Sequence, residues 1–226
     1  MIKEANLVSA TALWQLPDSS LAYKYIVERE FPWEILSDIG GVIADIVRNL
    51  DKDDYRCVDG NVWIANDVKI ANTATVIGPC IIGAGTELRP GAFIRGNVII
   101  GRNAVVGNST ELKNCILFDS VQVPHFNYVG DSILGYKAHM GAGAVTSNVK
   151  SDKSLVCIKV GEDKMETGRK KLGALLGDHV EIGCNSVLNP GTVIGKNSSV
   201  YPLTSLRGVY PENVIVKGQK EFVRRK

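Results

Sequence analysis

The chain has 226 residues, of which 45% are hydrophobic and 22% are charged. This balance excludes a disordered chain and a membrane-embedded one, and the length allows one or two domains. The net charge of +2 gives no nucleic-acid footprint, but the charge is unevenly distributed. Residues 1–54 have five basic and ten acidic side chains, whereas residues 55–226 have 21 and 14. The second part is therefore suited to anionic small molecules, and the alternative is an ordinary solvated surface.

The first 54 residues are predicted to be helical. Apolar residues recur at helical spacing from Ile35 to Leu50, and Pro32 suits a first helical turn. A weaker helix is predicted from Ser20 to Glu28. We expect residues 1–54 to form a small α-helical cap over the open end of the domain that follows, where a free strand edge would invite aggregation.

No targeting or membrane segment is predicted. The start of the chain has no basic stretch followed by a continuous apolar one, and no apolar run reaches about 18 residues. The five cysteines show neither a CxxC pair nor a metal-ligand spacing. We therefore expect a cytoplasmic protein with reduced thiols, no membrane insertion and no bound metal.

A six-residue repeat begins after residue 60. Ten successive positions, six residues apart, are occupied by a large apolar residue, and a mostly small residue lies two positions before each of them. The ten positions are Ile64, Ile70, Val76, Ile82, Leu88, Ile94, Ile100, Val106, Leu112 and Phe118. The pattern resumes from Leu176 to Leu206. This hexapeptide repeat is typical of a parallel β-helix, in which three short strands form each coil and one large side chain per strand points inward.

The predicted fold is mainly β: a left-handed parallel β-helix of hexapeptide repeats at residues 55–226, preceded by the helical cap at residues 1–54. Coils are expected at about residues 61–208. Residues 149–172 break the repeat and hold seven Lys or Arg. We expect them to form a loop excursion from one corner, placed to close over a neighbouring subunit's site.

Aliphatic side chains fill the inside of such a helix, so any binding site must lie on its outer surface. Arg95 and Lys113 each directly follow an inward-facing residue and are 18 positions apart. They are predicted to stack one coil apart as a phosphate clamp, and the alternative is a pair of solvated surface residues.

His125 is the candidate general base. It stands in the run VPHFNYVGD, which breaks the repeat, and an imidazole titrates near neutral pH. Glu111 is placed to orient its ring. A metal site built from His125, His139 and His179 is the competing hypothesis, which the wide spacing of the three residues disfavours.

Four runs outside the repeat carry a family resemblance: GNSTELKN (107–114), VPHFNYVGD (123–131), GAGAVTSN (141–148) and TGRKKLGALLGD (167–178). They resemble the acetyltransferase half of the bifunctional glucosamine-1-phosphate acetyltransferase/N-acetylglucosamine-1-phosphate uridylyltransferases. The last run looks most like the archaeal-type sugar-1-phosphate nucleotidylyltransferase/acetyltransferases. The match covers about residues 61–210 in the same order.

The resemblance implies a homotrimeric acyltransferase of nucleotide-sugar and cell-envelope precursor metabolism, leading toward UDP-N-acetylglucosamine. Its acceptor would be an amino-sugar phosphate such as glucosamine 1-phosphate, and its co-substrate acetyl-CoA would lie between neighbouring β-helices. The implied roles are His125 as base with Glu111 in support; Arg95, Lys113, Tyr128, His139, Asn148 and Lys171 on the substrate; and Ala142, Cys184 and Pro202 along acetyl-CoA.

The sequence departs from the family pattern at several positions. His139 stands where the family usually has Asn, and Cys184 and Pro202 replace small residues of the CoA groove. The Gly-rich nucleotidylyltransferase domain is absent from the sequence, so uridylyl transfer is not expected. A second hypothesis is therefore a non-catalytic β-helix binding or assembly subunit that works with a separate nucleotidylyltransferase. Transfer to a hydroxyl or to another amine is a third.

Overall fold

A three-sided parallel β-helix forms most of the molecule. The computed structural model describes residues 5–16, 20–219 and 221–225. In each coil the chain passes through three sheets, which we call face A, face B and face C. Strands of successive coils pair in parallel, so the prediction of a mainly β, parallel β-helix is confirmed.

The strands of each face are short. Face A contains Tyr55–Asp59, Val62–Ala65, Cys80–Ile82, Val98–Ile100, Cys115–Leu117, Ile133–Leu134, Ala174–Leu176, Thr192–Ile194 and Val209–Tyr210. Face B contains Lys69–Ile70, Glu87–Leu88, Val105–Asn108, Gln122–His125, His139–Met140, Glu181–Ile182, Ser199–Val200, Val214–Gly218 and Glu221–Arg224. Face C contains Thr75–Ile77, Phe93–Arg95, Glu111–Lys113, Tyr128–Gly130, Val145–Thr146, Val187–Leu188 and Ser205–Leu206.

The inward-facing residues of the repeat form one continuous core. Most of the predicted positions are buried there, because each side chain packs between those of the coils before and after it. Ile70 is an exception and is 36% exposed. It lies on the first strand of face B, which has a neighbouring strand on one side only.

Coil length varies along the helix, and the first change follows the strand Glu111–Lys113. Ile94 pairs with Leu112, eighteen residues on, but Leu112 pairs with Val129, seventeen residues on. The missing residue is at the corner between faces C and A, where Asn114 alone follows Lys113. Residues after this corner therefore move forward by one position in the repeat.

This shift makes one predicted core position wrong. Leu117, not Phe118, enters the inner core, and Phe118 packs on the outside of the coil. A strict six-residue count cannot detect the shorter corner.

Within residues 5–16 and 20–50, the chain forms short helices. They are two 3₁₀ helices, Ala5–Val8 and Pro32–Ser37, and the α-helices α1 (Ala10–Leu13), α2 (Tyr23–Val27) and α3 (Ile39–Arg48). The helix expected from Ser20 to Glu28 is thus shorter, and the one expected after Pro32 is a 3₁₀ helix followed by α3.

This helical segment covers the outer surface of face A, so the predicted position over the open end is wrong. The reason is an apolar stripe: each strand of face A has an outward apolar residue at its middle or first position, as well as the inward ones. These outward residues pack in one cluster with the helices: Ile81, Ile99, Ile116, Ile133, Leu175 and Val193. Burying them gives more apolar contact than the end of the helix offers.

Trp14 anchors the segment. Its buried indole N–H donates to the carbonyl of Leu176 at 2.8 Å, and its ring meets that of Phe118 edge-on at 5.7 Å. The next residue, Gln15, donates its backbone N–H to the Asp178 carboxylate at 2.7 Å. Burial raises the pKa of that carboxyl, while the hydrogen bonds it accepts oppose the rise.

Antiparallel strands protect the two ends of the β-helix. Tyr55–Asp59 pairs with Val62–Ala65 on face A, and Glu221–Arg224 pairs with Val214–Gly218 on face B. The parallel coils therefore continue to Gly218, beyond the predicted end at residue 208. The division into domains at residue 54 stays a prediction.

Residues 149–172 contain a β-hairpin where a loop was expected. Its strands are Cys157–Val160 and Asp163–Glu166. Alternate residues of the hairpin, including Ile158 and Met165, join the apolar cluster on face A. Gly208 lets the hairpin approach the corner, because a Cβ there would lie 3.1 Å from the Lys159 carbonyl oxygen.

Candidate active site

Arg95 and Lys113 occupy the same outward position in consecutive strands of face C. Each follows one residue of the paired Ile94 and Leu112. The Arg95 guanidinium donates to Glu111 Oε1 at 2.6 Å and lies 5.8 Å from the Phe93 ring centre. The hydrogen bond and charge of Glu111 raise the pKa of Arg95 further above its usual range.

Glu111 orients Arg95, and its expected contact with the His125 ring is absent from the described residues. The register gives the reason. Glu111 pairs with Phe93 in the coil before and with Tyr128 in the coil after, all on face C. His125, fourteen positions after Glu111, ends a strand of face B and therefore lies on a different face.

A buried carboxylate, Asp131, organises the cations and amides of this site. It is 3% exposed. Its Oδ1 accepts from Asn114 Nδ2 at 2.9 Å, and its Oδ2 accepts from Asn148 Nδ2 at 2.6 Å and lies 3.9 Å from Lys113 Nζ. These bonds satisfy a charge that would otherwise be costly to bury.

Sequence reasoning missed Asp131 and Asn114. Both follow a strand of face C at its corner with face A, and Asn148 lies at the same corner in the next coil. Part of the signal was in the sequence, because Asp131 closes the run VPHFNYVGD, but only the shorter coils of the structure bring these three corners into one column.

Tyr128 and Asn148, both expected on the substrate, are neighbours. Asn148 Nδ2 donates to Tyr128 Oη at 3.2 Å. Burial raises the pKa of Tyr128, and the charges of Asp131 and Glu111 add to the rise. The phenol therefore stays neutral at ordinary pH and can donate its proton in a hydrogen bond.

Arg169 is the cation that the hairpin segment turns toward this site. Burial lowers its pKa and the charge of Asp131 opposes that change. Its Nε donates to the backbone carbonyl of Lys171 at 3.1 Å. Lys171, the residue expected on the substrate, is exposed. Three basic residues in a row, as in GRKK, give no sign of which one faces inward.

His125 stands at the corner between faces B and C, at the head of a row of four predicted residues. One residue per coil occupies this corner: His125, Ala142, Cys184 and Pro202. Backbone hydrogen bonds of 2.9–3.0 Å join the coils of the row: Gly143 N to His125 O, Asn185 N to Ala142 O and Leu203 N to Cys184 O. His125, Cys184 and Pro202 are exposed and Ala142 is half-buried. We call this row the corner edge.

His139 lies apart from the other predicted substrate residues. It is on face B, and its Nδ1 is 2.8 Å from Glu181 Oε2. Gln122, His179 and Glu181 line the same open cleft of about 560 Å³. Within one chain, His139 therefore faces away from the Asp131 cluster on face C.

Across residues 5–16, 20–219 and 221–225, no group of three or more His, Cys, Asp or Glu side chains is arranged to hold a metal ion. In the same ranges no helix is both long and apolar enough to cross a bilayer.

A sequence profile of the family described as "GMPPB C-terminal domain" matches residues 76–200, which is more than half of the chain. The chain belongs to the GMPPB C-terminal domain family. The matched region holds the coils with Arg95, Lys113, His125 and Asp131.

Curated relatives agree with the resemblance read from the motifs. A protein named bifunctional protein GlmU from Methanococcus maripaludis is 34% identical over 75% of this chain and 41% of its own length. A bifunctional sugar-1-phosphate nucleotidylyltransferase/acetyltransferase from Sulfurisphaera tokodaii is 32% identical over 76% of this chain and 43% of its own length. The chain thus spans about two fifths of these relatives, and it matches their C-terminal acetyltransferase region.

One shorter curated relative and one solved structure are also similar to the chain. A putative uncharacterized acetyltransferase, YaiX, from Escherichia coli is 30% identical over 63% of this chain and 68% of its own length. The polySia-specific acetyltransferase NeuO aligns over 79% of this chain and 83% of its own, with 11% identity and a TM-score of 0.47. At this level the likeness says nothing about the ligand of the present chain.

Proposed function

We propose that the protein is a CoA-dependent N-acetyltransferase that acts on an amino-sugar phosphate such as glucosamine 1-phosphate. One observation carries the proposal: exposed His125, the first residue of the corner edge, stands where face B meets face C, the face that carries Arg95 and Lys113. A sugar phosphate held by Arg95 and Lys113 would have its amino group on the side of the imidazole. Acetyl-CoA lying along Ala142, Cys184 and Pro202 would approach from the next coils.

The reaction follows from this arrangement. His125 takes a proton from the acceptor amine as the amine nitrogen attacks the thioester carbonyl. The C–S bond then breaks, and His125 gives the proton to the departing thiolate, so that CoA leaves as its thiol. The backbone N–H of Ala142 makes no hydrogen bond within the described residues, so it is a suitable donor to the oxyanion. General-base help of this kind is worth roughly 10²- to 10⁴-fold, and positioning supplies much of the rest.

The proposed active form is a homotrimer. The helical segment and the hairpin occupy the outside of face A, which leaves faces B and C for association. His139 is on face B and Tyr128 is on face C, so packing face B of one copy against face C of the next would bring both to one substrate. Light scattering should therefore give three times the mass of the chain, and a monomer would contradict this part of the proposal.

The direct test is release of free thiol from acetyl-CoA with glucosamine 1-phosphate as acceptor. His125→Ala should keep the trimer and lose at least about 10²-fold in turnover. His179→Ala is the matched control, because His179 packs edge-on against Tyr136 at 5.3 Å and has no role in the reaction. Equal turnover of the wild type and His125→Ala would remove His125 from the mechanism.

A second candidate is a non-catalytic binding or assembly subunit. It is favoured by the pairing of Glu111 with Arg95, which leaves the His125 ring without a carboxylate partner among the described residues. In that case glucosamine 1-phosphate would bind in a calorimetric titration, while a panel of amino sugars would release no CoA. The same two measurements therefore separate the two functions.

A further inference from the structure

A second basic site lies where the hairpin meets the corner between faces C and A. The cleft there has a volume of about 290 Å³. We call it the basic hairpin cleft, lined by Lys150, Asp152, Cys157, Lys159, Lys164 and Arg207. It is separated from the corner edge by the width of face C.

Three cations converge on this cleft without partners. Lys159 and Lys164 are directly opposite each other in the antiparallel hairpin, and Lys159 packs against Gly208, the residue after Arg207. Among the described residues, none of the three makes an ion pair or a side-chain hydrogen bond. Opposed like charges destabilise a strand pair, and a bound anion removes that cost.

The lining of the basic hairpin cleft itself has four basic residues and one acidic residue. Asp152 is 3.4 Å from Lys150, so these two neutralise each other. Glu162 and Asp163 line the adjoining cleft, together with Lys159, Lys164 and Arg207. A cleft of this size with a net positive charge fits a ligand whose phosphate oxygens can contact several cations at once.

An aromatic ring lies beside the cations. The adjoining cleft, of about 360 Å³, is lined by Lys159, Lys164 and Arg207 together with Phe222. The Phe222 side chain is 43% exposed and its ring meets Tyr210 edge-on. A flat apolar surface next to several cations suits a phosphorylated molecule with an aromatic base.

We propose that the basic hairpin cleft binds the phosphate groups of a nucleotide whose base lies against Phe222. The hairpin is held in place for this role, because Ile158 and Met165 are buried on its other side. This site goes beyond the proposed transfer reaction, since none of its residues is assigned there. Two sources supply the same chemistry: a free nucleotide, or the nucleotide end of CoA.

The test is calorimetric titration of the full chain with ADP and with inorganic pyrophosphate. Lys159→Gln/Lys164→Gln should weaken both ligands by at least about tenfold, because two phosphate contacts are lost. Phe222→Ala should weaken ADP and leave pyrophosphate unchanged. The control, Lys52→Gln/Lys69→Gln, removes the same charge from two exposed sites and should stay within about twofold.

Two results would overturn the proposal: no binding of either ligand by the wild type at millimolar concentration, or an equal loss in the control pair. The lysine variant should fold normally, and its urea midpoint should not fall, because a repulsive pair is removed. The KM for acetyl-CoA then identifies the source. If the lysine variant raises the KM for acetyl-CoA along with the Kd for ADP, the natural ligand is the nucleotide end of CoA. If the KM is unchanged, the ligand is a free nucleotide. In both cases the weaker binding of ADP supports the cleft.

Discussion

Replacement of Asp131 by Asn should destabilise the fold and the substrate site together. Each carboxylate oxygen of Asp131 accepts from one amide, those of Asn114 and Asn148. Neither amide can rotate without loss, because Asn114 Nδ2 also donates to Leu36 O at 3.0 Å and Asn148 Nδ2 also donates to Tyr128 Oη. The side-chain NH2 group of the new Asn must therefore face the NH2 donor of either Asn114 or Asn148.

The expected cost follows from these bonds. One charge-assisted hydrogen bond is lost, at about 1.5–3 kcal/mol, and the other is weakened to that of a neutral pair. The variant also gives up the attraction to Lys113 at 3.9 Å, while it gains some relief from no longer burying a charge. We expect the free energy of unfolding to fall by about 2–4 kcal/mol.

Urea unfolding followed by circular dichroism measures this change. Asp67→Asn is the matched control, since Asp67 is exposed and accepts one backbone N–H from Gly85 at 3.0 Å, and its loss should stay below about 1 kcal/mol. In the thiol-release assay Asp131→Asn should raise the KM for the sugar phosphate, because Asn148 and Lys113 both lose a partner. Equal urea midpoints for the two variants would refute the role given to Asp131.

Three further predictions follow from other parts of the fold. In native protein a thiol reagent should label exposed Cys57 and Cys184, and acetyl-CoA should protect Cys184 alone; protection of neither residue would argue against the corner edge as the CoA groove. Burial, followed by the hydrogen bond to Asp45, raises the pKa of Tyr25 to about 12, so the folded state holds this proton more tightly than the unfolded state does. The free energy of unfolding should keep its full value below about pH 10 and decrease as the pH rises toward 12. Urea unfolding curves measured over this pH range should show a smaller decrease for Tyr25→Phe. Trp14→Ala should lose about 3–5 kcal/mol in urea unfolding, and a loss below about 1 kcal/mol would show that the helical segment is not anchored there.

The inner core of the β-helix could be predicted because its signal is periodic. Residues such as Ile82, Leu88 and Ile94 face the same environment in every coil, so one rule describes them all. The rule fails at Phe118, because a shorter corner shifts the positions that follow it and no residue type marks a deletion. Periodicity thus predicts the fold better than it predicts the register.

The position of the helical segment was recoverable from the sequence but was missed. Runs such as CII (80–82) and VII (98–100) are apolar at three consecutive positions, and a strand exposed on one side would alternate. The middle residues, Ile81 and Ile99, had to be covered by something. The apolar helical pattern in the first 54 residues predicts an element that could cover them.

The candidate site was predicted in part, and the rest depends on side-chain partners. Arg95 and Lys113 could be found by spacing, because they repeat with the coil. The choice of Arg95 as partner for Glu111 depends on which face each residue occupies. The role of Asp131 depends on hydrogen bonds across three coils, which a single run of letters does not contain.

The irregular coils have a consequence for how such a protein acquires chemistry. A perfectly uniform repeat presents the same outer wall at every level, and such a wall has no recess to hold a small molecule. Here two successive turns are one residue short at the same corner, and the next turn opens into the hairpin there. Asn114, Asp131 and Asn148 occupy those three levels. Insertions or deletions at this corner are thus expected to alter binding of the sugar phosphate, whereas the same changes at the corner between faces A and B would mainly alter stability.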